Sequence, residues 1–404
     1  MRVSKNAAIG FIFITMTIDV IGWGLIIPIM PSLIAEVKAI PLKETSRWGG
    51  YLISVFALMQ LLFSPIMGNL SDRFGRRPVI LISLIAFCVD YIILALAHNY
   101  TLLLVGRILA GITGASFTAG TAYIADISTP ATRAKNFGLI GAAFGLGFVI
   151  GPALGGLLST WGLRAPFYAA AVLCFVNFLY GYFVLPESLK PENRRPFSWK
   201  KANPVGAFKH LKKYPLISGL IIAFFFLYLG AHAVQSNWSY FTMYQFKWTE
   251  KDVGISLAVV GILAGLVQGG LIRVVNPWLG NARSIIVGLA FYTLGLLLFA
   301  FATKGWMMYV FLLPYCLGGI ANPALQSVIT ANVPANEQGQ LQGGLTGITS
   351  LTSIIGPYIM TNLFYYSVAD NSRFYFPGAP FLLGAAFIFI STLLSWHYFK
   401  KIKA

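Results

Sequence analysis

Charged side chains are scarce in this sequence. Only 10% of its 404 residues are Asp, Glu, Lys or Arg, whereas a soluble domain carries about 25%. Hydrophobic residues make up 57% of the chain, and they recur in runs of about twenty residues, each long enough to cross the roughly 30 Å hydrocarbon core of a bilayer. The lack of charge therefore argues against a soluble globular protein and predicts a multi-pass membrane protein.

Cysteines and common catalytic motifs are equally scarce. Cys88, Cys174 and Cys316 each fall within an apolar run, so the sequence predicts neither a disulfide framework nor a metal cluster. It has no Gly-x4-Gly-Lys-Ser/Thr loop for ATP, no His-Glu-x2-His motif and no Gly-x-Ser-x-Gly nucleophile elbow. We therefore expect no enzyme activity, no cofactor and no bound metal.

Acidic residues are few: 12 against 29 Lys and Arg, for a net charge of +17. The basic residues lie in short loops rather than on a soluble face, which argues against a nucleic-acid partner. With a cytoplasmic N-terminus, inner segments hold 20 of the 29 and outer loops hold eight, as the positive-inside rule predicts. Both termini are thus predicted to be cytoplasmic. The first apolar run is too long for a signal peptide and lacks a small-residue cleavage site, so it is interpreted as the first span.

The apolar runs predict an all-α protein of twelve transmembrane helices, because lipid leaves the backbone of such segments no other way to satisfy its hydrogen bonds. These spans fall at residues 6–34, 48–70, 78–97, 102–126, 136–158, 165–186, 214–240, 253–272, 284–302, 305–330, 338–363 and 376–398.

The longest polar stretch divides the spans six and six. It predicts an N-terminal six-helix bundle (1–186), a cytoplasmic linker (187–213) and a C-terminal six-helix bundle (214–404). Within the linker, a basic segment that begins at Asn203 has the pattern of a helix lying on the inner leaflet, and a plain solvated linker is the alternative.

The two halves resemble each other at a constant offset of 205 residues. Gly75 falls on Gly280, and Gly151-Pro152 falls on Gly356-Pro357. Two six-helix halves related by an internal repeat are typical of transporters, whose substrate site lies between the halves near the middle of the membrane.

Ionisable residues within the spans concentrate in the first half: Asp19, Asp90 and Arg107. An acid at mid-bilayer costs roughly 2.5–3.5 kcal/mol, and such residues commonly face a water-filled cavity and carry protons or ligand. A carboxylate held by a neighbouring helix for structure alone is the alternative. At the repeat offset the equivalent positions carry no charge: Phe224, Gly295 and Leu312.

The second half offers neutral polar and aromatic groups instead, with His232 as its titratable exception. A packing role for that lone histidine is the alternative. Candidate substrate-binding residues from both halves are Asp19, Asp90, Tyr91, Arg107, His232, Gln235, Gln268, Tyr292, Asn322 and Gln326.

The loop after the second span reads Gly68-Asn-Leu-Ser-Asp-Arg-Phe-Gly-Arg-Arg77. Gly75 predicts a tight turn with positive φ, and Asp72 stands at a helix end, where it can meet cationic side chains. We expect Asp126 and Arg133, which flank the next inner loop, to pair. A network there would hold the inner face shut, and ordinary positive-inside charge is the alternative. The candidate gating residues are Asp72, Arg73, Arg76, Arg77, Asp126 and Arg133.

The fifth span contains glycines at four-residue spacing around a proline: Gly147, Gly151, Pro152, Gly155 and Gly156. Glycines at this spacing let helix backbones approach closely, and the proline frees a carbonyl group and permits a bend. A close-packed helix pair with no role in transport is the alternative.

These motifs resemble those of the major facilitator superfamily. The 68–77 loop resembles its cytoplasmic signature, Gly106–Gly114 its buried arginine motif, and Gly147–Gly156 the motif of its drug–proton antiporters. Segments such as Asp19-Val-Ile-Gly-Trp-Gly24 and Gly339-Gln-Leu-Gln-Gly343 are similar to the tetracycline efflux branch. The resemblance covers nearly the whole chain. It implies a proton-coupled antiporter of a bacterial-type inner membrane that exports an amphipathic small molecule or drug.

The same resemblance implies that Asp19, Asp90 and Arg107 line the N-terminal side of a cavity and that Asp72 belongs to the gate. The chain departs from the tetracycline branch at Ala264, where that branch has a histidine, and at Tyr292, where it has an acid. A proton-coupled importer of a small organic solute is therefore the alternative, followed by a receptor or lipid-flipping scaffold. Expected partners are a small-molecule substrate, protons and the lipid bilayer, with no nucleic acid and the chain as a monomer.

Overall fold

The structure is a computed structural model that describes residues 5–114, 116–129, 132–197, 217–334, 337–370, 372 and 375–403. Within these residues the regular secondary structure is entirely helical. The helices of the N-terminal half are α1 Lys5–Ile26, α2 Met30–Lys38, α3 Leu42–Phe74, α4 Arg76–Leu96, α5 Tyr100–Thr113, α6 Ser116–Ile127, α7 Arg133–Leu158 and α8 Ala165–Val184. Those of the C-terminal half are α9 Ser218–Phe246, α10 Glu250–Leu266, α11 Ile272–Ala300, α12 Gly305–Leu317, α13 Ala321–Ala331, α14 Gln338–Ser367 and α15 Ala379–Lys403.

Ten helical segments among the described residues are long and apolar enough to cross a membrane. One of them, Glu250–Ala300, covers two predicted spans. The predicted eleventh span is the 30-residue α14, Gln338–Ser367, whose first half is rich in Gln, Gly, Thr and Ser. With both included, the helices account for the twelve predicted spans. We infer that the polar part of α14 faces protein or water, since polar groups exposed to lipid are costly.

Two predicted spans of the N-terminal half are interrupted, which corrects the predicted continuous helices. The first ends at Ile26 and resumes as α2 at Met30, with Pro31 at the start of the new helix. Proline fits that position because the first helical N–H has no partner within the helix. The fourth predicted span, 102–126, ends as α5 at Thr113 and resumes as α6 after Gly114, a residue type that weakens a helix interior.

The C-terminal half shows comparable interruptions. A 3₁₀ turn, Gly318–Ile320, separates α12 from α13 within the predicted 305–330 span. A five-residue π turn, Val267–Leu271, joins α10 to α11. The predicted loop between spans eight and nine is mostly helical and is broken at Gly280, where φ is 73°.

The chain divides into two compact units. The first contains the described residues of Met1–Ala39, Val55–Pro204 and Thr249–Ala258. The second contains those of Ile40–Ser54, Val205–Trp248 and Val259–Ala404. Each unit therefore includes one short segment from the other half of the sequence, and the predicted bundle boundaries at 186 and 214 stay a prediction. The predicted interfacial segment beginning at Asn203 lies outside the described residues.

Each unit has its own apolar core. In the first, side chains of α1, α4 and α6 are almost wholly buried against one another: Phe11, Ile12, Met16, Val79, Ile80, Leu84, Ala119, Tyr123 and Ile124. In the second, Trp238 packs edge-to-face on Phe299 with ring centroids 5.2 Å apart, and Phe241 packs on Phe381 at 4.9 Å. Such aromatic pairs add to the stabilisation that burial supplies. The three cysteines are buried, one in each of α4, α8 and α12.

Candidate functional site

A buried ion pair joins α4 to α5 in the first unit. Asp90 is fully buried and Arg107 is 7% exposed. The Arg107 Nη2 donates a hydrogen bond to the Asp90 Oδ2, and the guanidinium lies 5.9 Å from the centre of the Phe56 ring. Asp90 Oδ1 and Arg107 Nε have no hydrogen-bond partner among the described residues. Pairing offsets the cost of burying both charges. The pair retains unused hydrogen-bonding capacity at Asp90 Oδ1 and Arg107 Nε.

Asp19 lies on the neighbouring α1, and both of its carboxylate oxygens are buried. A Cβ at Gly22, one turn further along, would lie 3.0 Å from Tyr91 Cζ and closer still to the Tyr91 hydroxyl. The absence of a side chain at Gly22 therefore admits Tyr91, which is 3% exposed, against α1. Since Tyr91 follows Asp90 in α4, the structure brings the predicted acidic residues of α1 and α4 into one region of the first unit.

Two polar residues of this region were not predicted. The Thr15 Oγ1 donates a 3.2 Å hydrogen bond to the Asn177 Oδ1, joining α1 to α8. Both residues are at least 98% buried, Thr15 at 2% and Asn177 at 1% exposure. Thr15 stands one turn before Asp19 on α1. The available sequence signal was the isolated amide of Asn177 within an otherwise apolar sixth span.

Candidate binding residues of the second unit form a neutral polar chain. The Asn322 Nδ2 donates to the Tyr228 hydroxyl at 3.1 Å, and the Gln326 Nε2 donates to the Asn322 Oδ1 at 3.2 Å. This chain joins α9 to α13. Tyr292 of α11 packs edge-to-face on Tyr315 with ring centroids 5.0 Å apart. The predicted amides and tyrosines of the second half are therefore within one unit, and Tyr228 extends the predicted set.

Gln235 and Gln268 differ from their neighbours in exposure. Gln235 is exposed although the residues on either side of it in α9 are buried. Gln268 is exposed and lies in the π turn Val267–Leu271. Such turns are frequent at functional sites, and a polar side chain that is accessible within a span commonly faces a water-filled cavity.

His232, unlike Gln235 and Gln268, is buried. It is 6% exposed, and a Cβ at Gly356 would lie 2.6 Å from its Cγ. The imidazole therefore fills the space that Gly356 leaves on α14. This contact supports the packing alternative for His232, and its role in substrate binding stays a prediction.

The loop between α3 and α4 has the predicted turn. Gly75 has φ 108°, which confirms the expected positive φ. The following Arg76 reaches three acceptors: Nη1 lies 2.6 Å from Asp72 Oδ1 and 2.6 Å from Ser71 Oγ, and Nε lies 3.1 Å from Asp126 Oδ2. One guanidinium thus ties the ends of α3, α4 and α6 together.

Asp126 has partners that the sequence did not predict. Asp126 pairs with Arg76 and accepts a 3.0 Å hydrogen bond from Ser188 Oγ. Arg76 reaches Asp126 because it projects from the start of α4 beside the end of α6. Arg133 begins α7, and its side chain lies outside the described residues, so its expected pairing with Asp126 stays a prediction. Of the remaining candidates, Arg73 is exposed, with its guanidinium 5.0 Å from the centre of the Phe74 ring.

Glu187 completes this network and was not predicted to take part. Its carboxylate accepts hydrogen bonds from the backbone N–H groups of Arg76 at 2.9 Å, Arg77 at 3.2 Å and Leu189 at 3.0 Å. The carboxylate therefore caps the first turn of α4, where the helix leaves N–H groups unpaired and favours negative charge. The described start of the predicted linker is held on the same loop by the 3.1 Å bond from Arg195 N to Asp72 O.

The glycines of the fifth span pack as their spacing predicts. A Cβ at Gly147 would lie 2.9 Å from the Thr17 carbonyl oxygen, and one at Gly151 would lie 2.7 Å from the Ile21 carbonyl oxygen. A Cβ at Gly155 would likewise meet the Leu25 backbone. The three glycines form one ridge of α7 against the backbone of α1, which confirms the expected close approach of two helices.

Gly156 stands beside that ridge and faces another helix of the same unit. A Cβ there would lie 2.6 Å from the Glu250 carbonyl oxygen at the start of α10. Pro152 contacts α1, since a Cβ at Gly24 would lie 2.8 Å from its Cδ. The motif thus serves two helix contacts within the first unit.

Known proteins match this chain over most of its length. The family model of the Major Facilitator Superfamily matches residues 12–357. The chain is 41% identical over 382 residues to the tetracycline resistance protein, class C, of Escherichia coli, covering 95% of this chain and 94% of that protein. It is 32% identical over 372 residues to multidrug resistance protein 2 of Bacillus subtilis (strain 168), covering 90% of each.

A solved structure shows the same fold. The human organic anion transporter MFSD10 (TETRAN) aligns with a TM-score of 0.72 at 21% sequence identity, covering 97% of this chain and 99% of that one. Because the family match extends through both halves of the sequence, and relatives of more than 30% identity cover nearly all of it, the chain belongs to the Major Facilitator Superfamily.

Proposed function

We propose that this protein is a proton-coupled antiporter that exports an amphipathic drug across a bacterial inner membrane. Its family membership and its relatives make it a transporter rather than an enzyme. Relatives named for tetracycline resistance and for multidrug resistance support export over import. The substrate is a small molecule, and tetracycline is the first solute to test.

The observation that carries this proposal is the buried Asp90–Arg107 pair inside two membrane spans. Two charges withdrawn from water cost free energy that a purely packed apolar contact would not, and ionisable groups at this depth mark ion or proton pathways. Asp19 adds a second buried carboxylate in the same unit. In the proposed mechanism, Asp19 and Asp90 exchange a proton for the drug, and Arg107 stabilises the ionised state.

The membrane potential supplies part of the driving force. The free energy of a positive charge falls by about 2.3 kcal/mol per 100 mV when it moves inward. Each proton that enters from outside therefore favours release of drug to that side. In the second unit, uncharged side chains bind the drug: Tyr228, Asn322, Gln326, Gln235 and Gln268. These groups hydrogen bond a solute without competing for the proton, so coupling is confined to the first unit.

The Arg76 network is the proposed gate. Its contacts with Asp72 and Asp126 hold three helix ends together in the present structure. Opening of the inner side would require these three helix ends, all in the first unit, to move apart. Arg73, Arg77 and Arg133 contribute positive charge to the same predicted cytoplasmic surface, and the protein works as a monomer.

Transport by an Asp19→Asn variant tests the proposal. Wild-type protein in proteoliposomes should accumulate drug when a pH gradient is imposed, and Asp19→Asn should lose this uptake while retaining drug-for-drug counterflow. The matched control is Asp252→Asn, since Asp252 bonds only Thr249 among the described residues and lies outside the proposed site. Unchanged proton-driven uptake in Asp19→Asn would remove this residue from coupling, and absence of drug resistance in an efflux-deficient host that produces the wild-type protein would contradict drug export.

A further inference from the structure

An apolar groove of about 370 Å³ runs along one exposed face of α4. It is lined by Leu81, Ile82, Ile85, Ala86 and Val89 of α4, with Leu109 of α5 and Phe178 of α8. Its lining is almost wholly apolar, and Val89 is 42% exposed. An apolar lining on the exposed face of a membrane-spanning helix favours an opening toward lipid rather than toward water.

The α4 residues that line the groove are in line with a cationic side chain, Arg77. Arg77, Leu81, Ile85 and Val89 follow one another at four-residue spacing and so form one ridge of the helix. At a rise of 1.5 Å per residue, Leu81 lies about 6 Å and Val89 about 18 Å along the axis from Arg77. Half of the hydrocarbon core is about 15 Å thick. The groove therefore extends from Leu81, one turn inside the span, to about the middle of the membrane, and Arg77 stands at the end of the same ridge. Together they cover about the depth of one acyl chain.

Arg77 retains capacity for an anion. Its Nη2 donates to the Tyr182 carbonyl oxygen at 2.6 Å, and its guanidinium lies 5.7 Å from the centre of the Tyr182 ring. Its Nε is buried without a hydrogen-bond partner, and no ion pair of Arg77 occurs within the part of the chain that the structure describes. The nearby Glu187 carboxylate accepts three backbone N–H groups. Because Arg77 is only half-buried and has no ion-pair partner among the described residues, the accessible part of its guanidinium can bind an anion. Guanidinium donors match phosphate oxygens in geometry.

We propose that this groove binds one anionic phospholipid, with its phosphate on the Arg77 guanidinium and an acyl chain along Leu81, Ile85 and Val89. The positive-charge bias of the sequence predicts that Arg77 is cytoplasmic, and anionic lipids give the cytoplasmic leaflet its negative surface potential. The site combines two recognition elements. A free phosphate would use only Arg77, and a neutral acyl chain would use only the groove, whereas an anionic lipid uses both.

Lipid titration of the purified protein tests this proposal. Protein in a neutral detergent is titrated with phosphatidylglycerol, with phosphatidylcholine of the same acyl chains and with glycerol phosphate, and bound molecules are counted by native mass spectrometry while the unfolding midpoint is recorded. Wild-type protein should bind one phosphatidylglycerol at least tenfold more tightly than either alternative, with a rise in unfolding midpoint. Equal affinity for phosphatidylcholine, or for glycerol phosphate, would overturn the proposal.

Two variants separate the headgroup from the chain. Arg77→Gln removes the cation, and Ala86→Phe fills the groove that Ala86 helps to line; each should weaken phosphatidylglycerol binding at least tenfold. Matched controls are Arg273→Gln and Ala290→Phe, at exposed positions of α11, which should change affinity less than twofold. Should Ala86→Phe fail to fold, Arg77→Gln alone decides: undiminished phosphatidylglycerol binding in that variant would also refute the site.

Discussion

The loops around Gly75 in the first unit and Gly280 in the second share a backbone form but differ in charge. Both glycines have positive φ, 108° and 73°, and they are related by the 205-residue offset. In the first loop, Arg76 Nη1 donates to Ser71 Oγ at 2.6 Å. At the equivalent positions of the second loop, Asn276 Nδ2 donates to Asn281 Oδ1 at 2.9 Å. The same pair of positions is hydrogen-bonded in both loops, once with a guanidinium and once with two amides.

Each loop also contacts another helix of its own unit. Arg76 pairs with Asp126 of α6, whereas Asn281 Nδ2 donates to Ser327 Oγ of α13 at 3.4 Å. The repeat thus retains the contacts of the loop without retaining its charge. We infer that the fold itself needs only a hydrogen-bonded loop there, and that the ionic form in the first unit serves the gate.

A similar contrast lies within the spans. The ion pair Asp90–Arg107 has Gly295 and Leu312 at its equivalent positions, and a Cβ at Gly295 would lie 2.6 Å from Tyr315 Cα. Close backbone approach therefore replaces the ion pair between the corresponding helices. Both arrangements hold two helices together, but only the first can bind or release a proton.

The largest expected effect comes from replacing Arg107 with leucine, the residue at the equivalent position of the second unit. Arg107→Leu should abolish drug resistance and lower the free energy of unfolding by about 3–5 kcal/mol, because Asp90 is left as a buried, uncompensated charge. Adding Asp90→Ala should restore most of that stability without restoring transport. Thermal unfolding and growth in drug measure the two effects, and a transport-competent double variant would show that the pair is structural.

Arg76→Asn gives the gate loop the neutral form of its counterpart. We expect at least a tenfold loss of transport and a loss of about 1–3 kcal/mol of stability, since hydrogen bonds to charged groups are removed. Asn281→Ala in the second loop should change transport less than twofold. Equal effects of the two substitutions would remove the distinction between an ionic gate and a neutral structural loop.

The two Gly-Pro segments offer a third test. Gly151→Ala and Gly356→Ala should each cost about 1–3 kcal/mol by overpacking, since Gly151 meets the Ile21 backbone and Gly356 meets the His232 side chain. Adding His232→Ala should restore stability to the Gly356→Ala variant, because the obstacle there is a side chain that a second substitution removes. The obstacle at Gly151 is backbone, which no substitution removes. A double variant no more stable than Gly356→Ala would indicate that His232 is not the obstacle.

The smallest expected effect concerns the turn glycines themselves. Gly280→Ala should cost about 1–2 kcal/mol, the penalty of positive φ for a residue with a Cβ. Gly75→Ala should cost more, because its Cβ would also meet the Glu187 carboxylate. Unfolding midpoints of the two variants and of a Gly75→Ala/Glu187→Ala double variant provide the comparison.

Much of this organisation could be predicted from the sequence. The spans followed from hydropathy, and the positive φ of Gly75 from the tight turn expected in the loop. The close contact of α7 with α1 followed from glycines at four-residue spacing. Asp90 and Arg107 were identifiable because charged residues in apolar runs require compensation, although their direct pairing needed the structure.

Other features are not encoded by hydropathy: some follow from local glycines and prolines, and others from contacts between residues far apart in sequence. The breaks at Ile26 and Thr113 lie within apolar runs, so hydropathy predicts continuous spans there. Glu187 lies 111 residues from Arg76 in sequence, and nothing in the linker composition distinguishes a capping carboxylate from a solvated one. The contact of Asp126 with Arg76 was missed for the same reason: proximity in sequence favoured Arg133, whereas folding brings Arg76 to Asp126.

The burial of all three thiols has a practical consequence for following the motion of this transporter. Cys88, Cys174 and Cys316 are inaccessible, and reactivity of a thiol requires access as well as ionisation. Cysteines introduced at exposed positions, for example by Trp161→Cys (79% exposed) and Trp278→Cys (83% exposed), would therefore react first with a maleimide dye. Fluorescence from a pair of such labels would then track the working cycle in a chain that keeps every native cysteine.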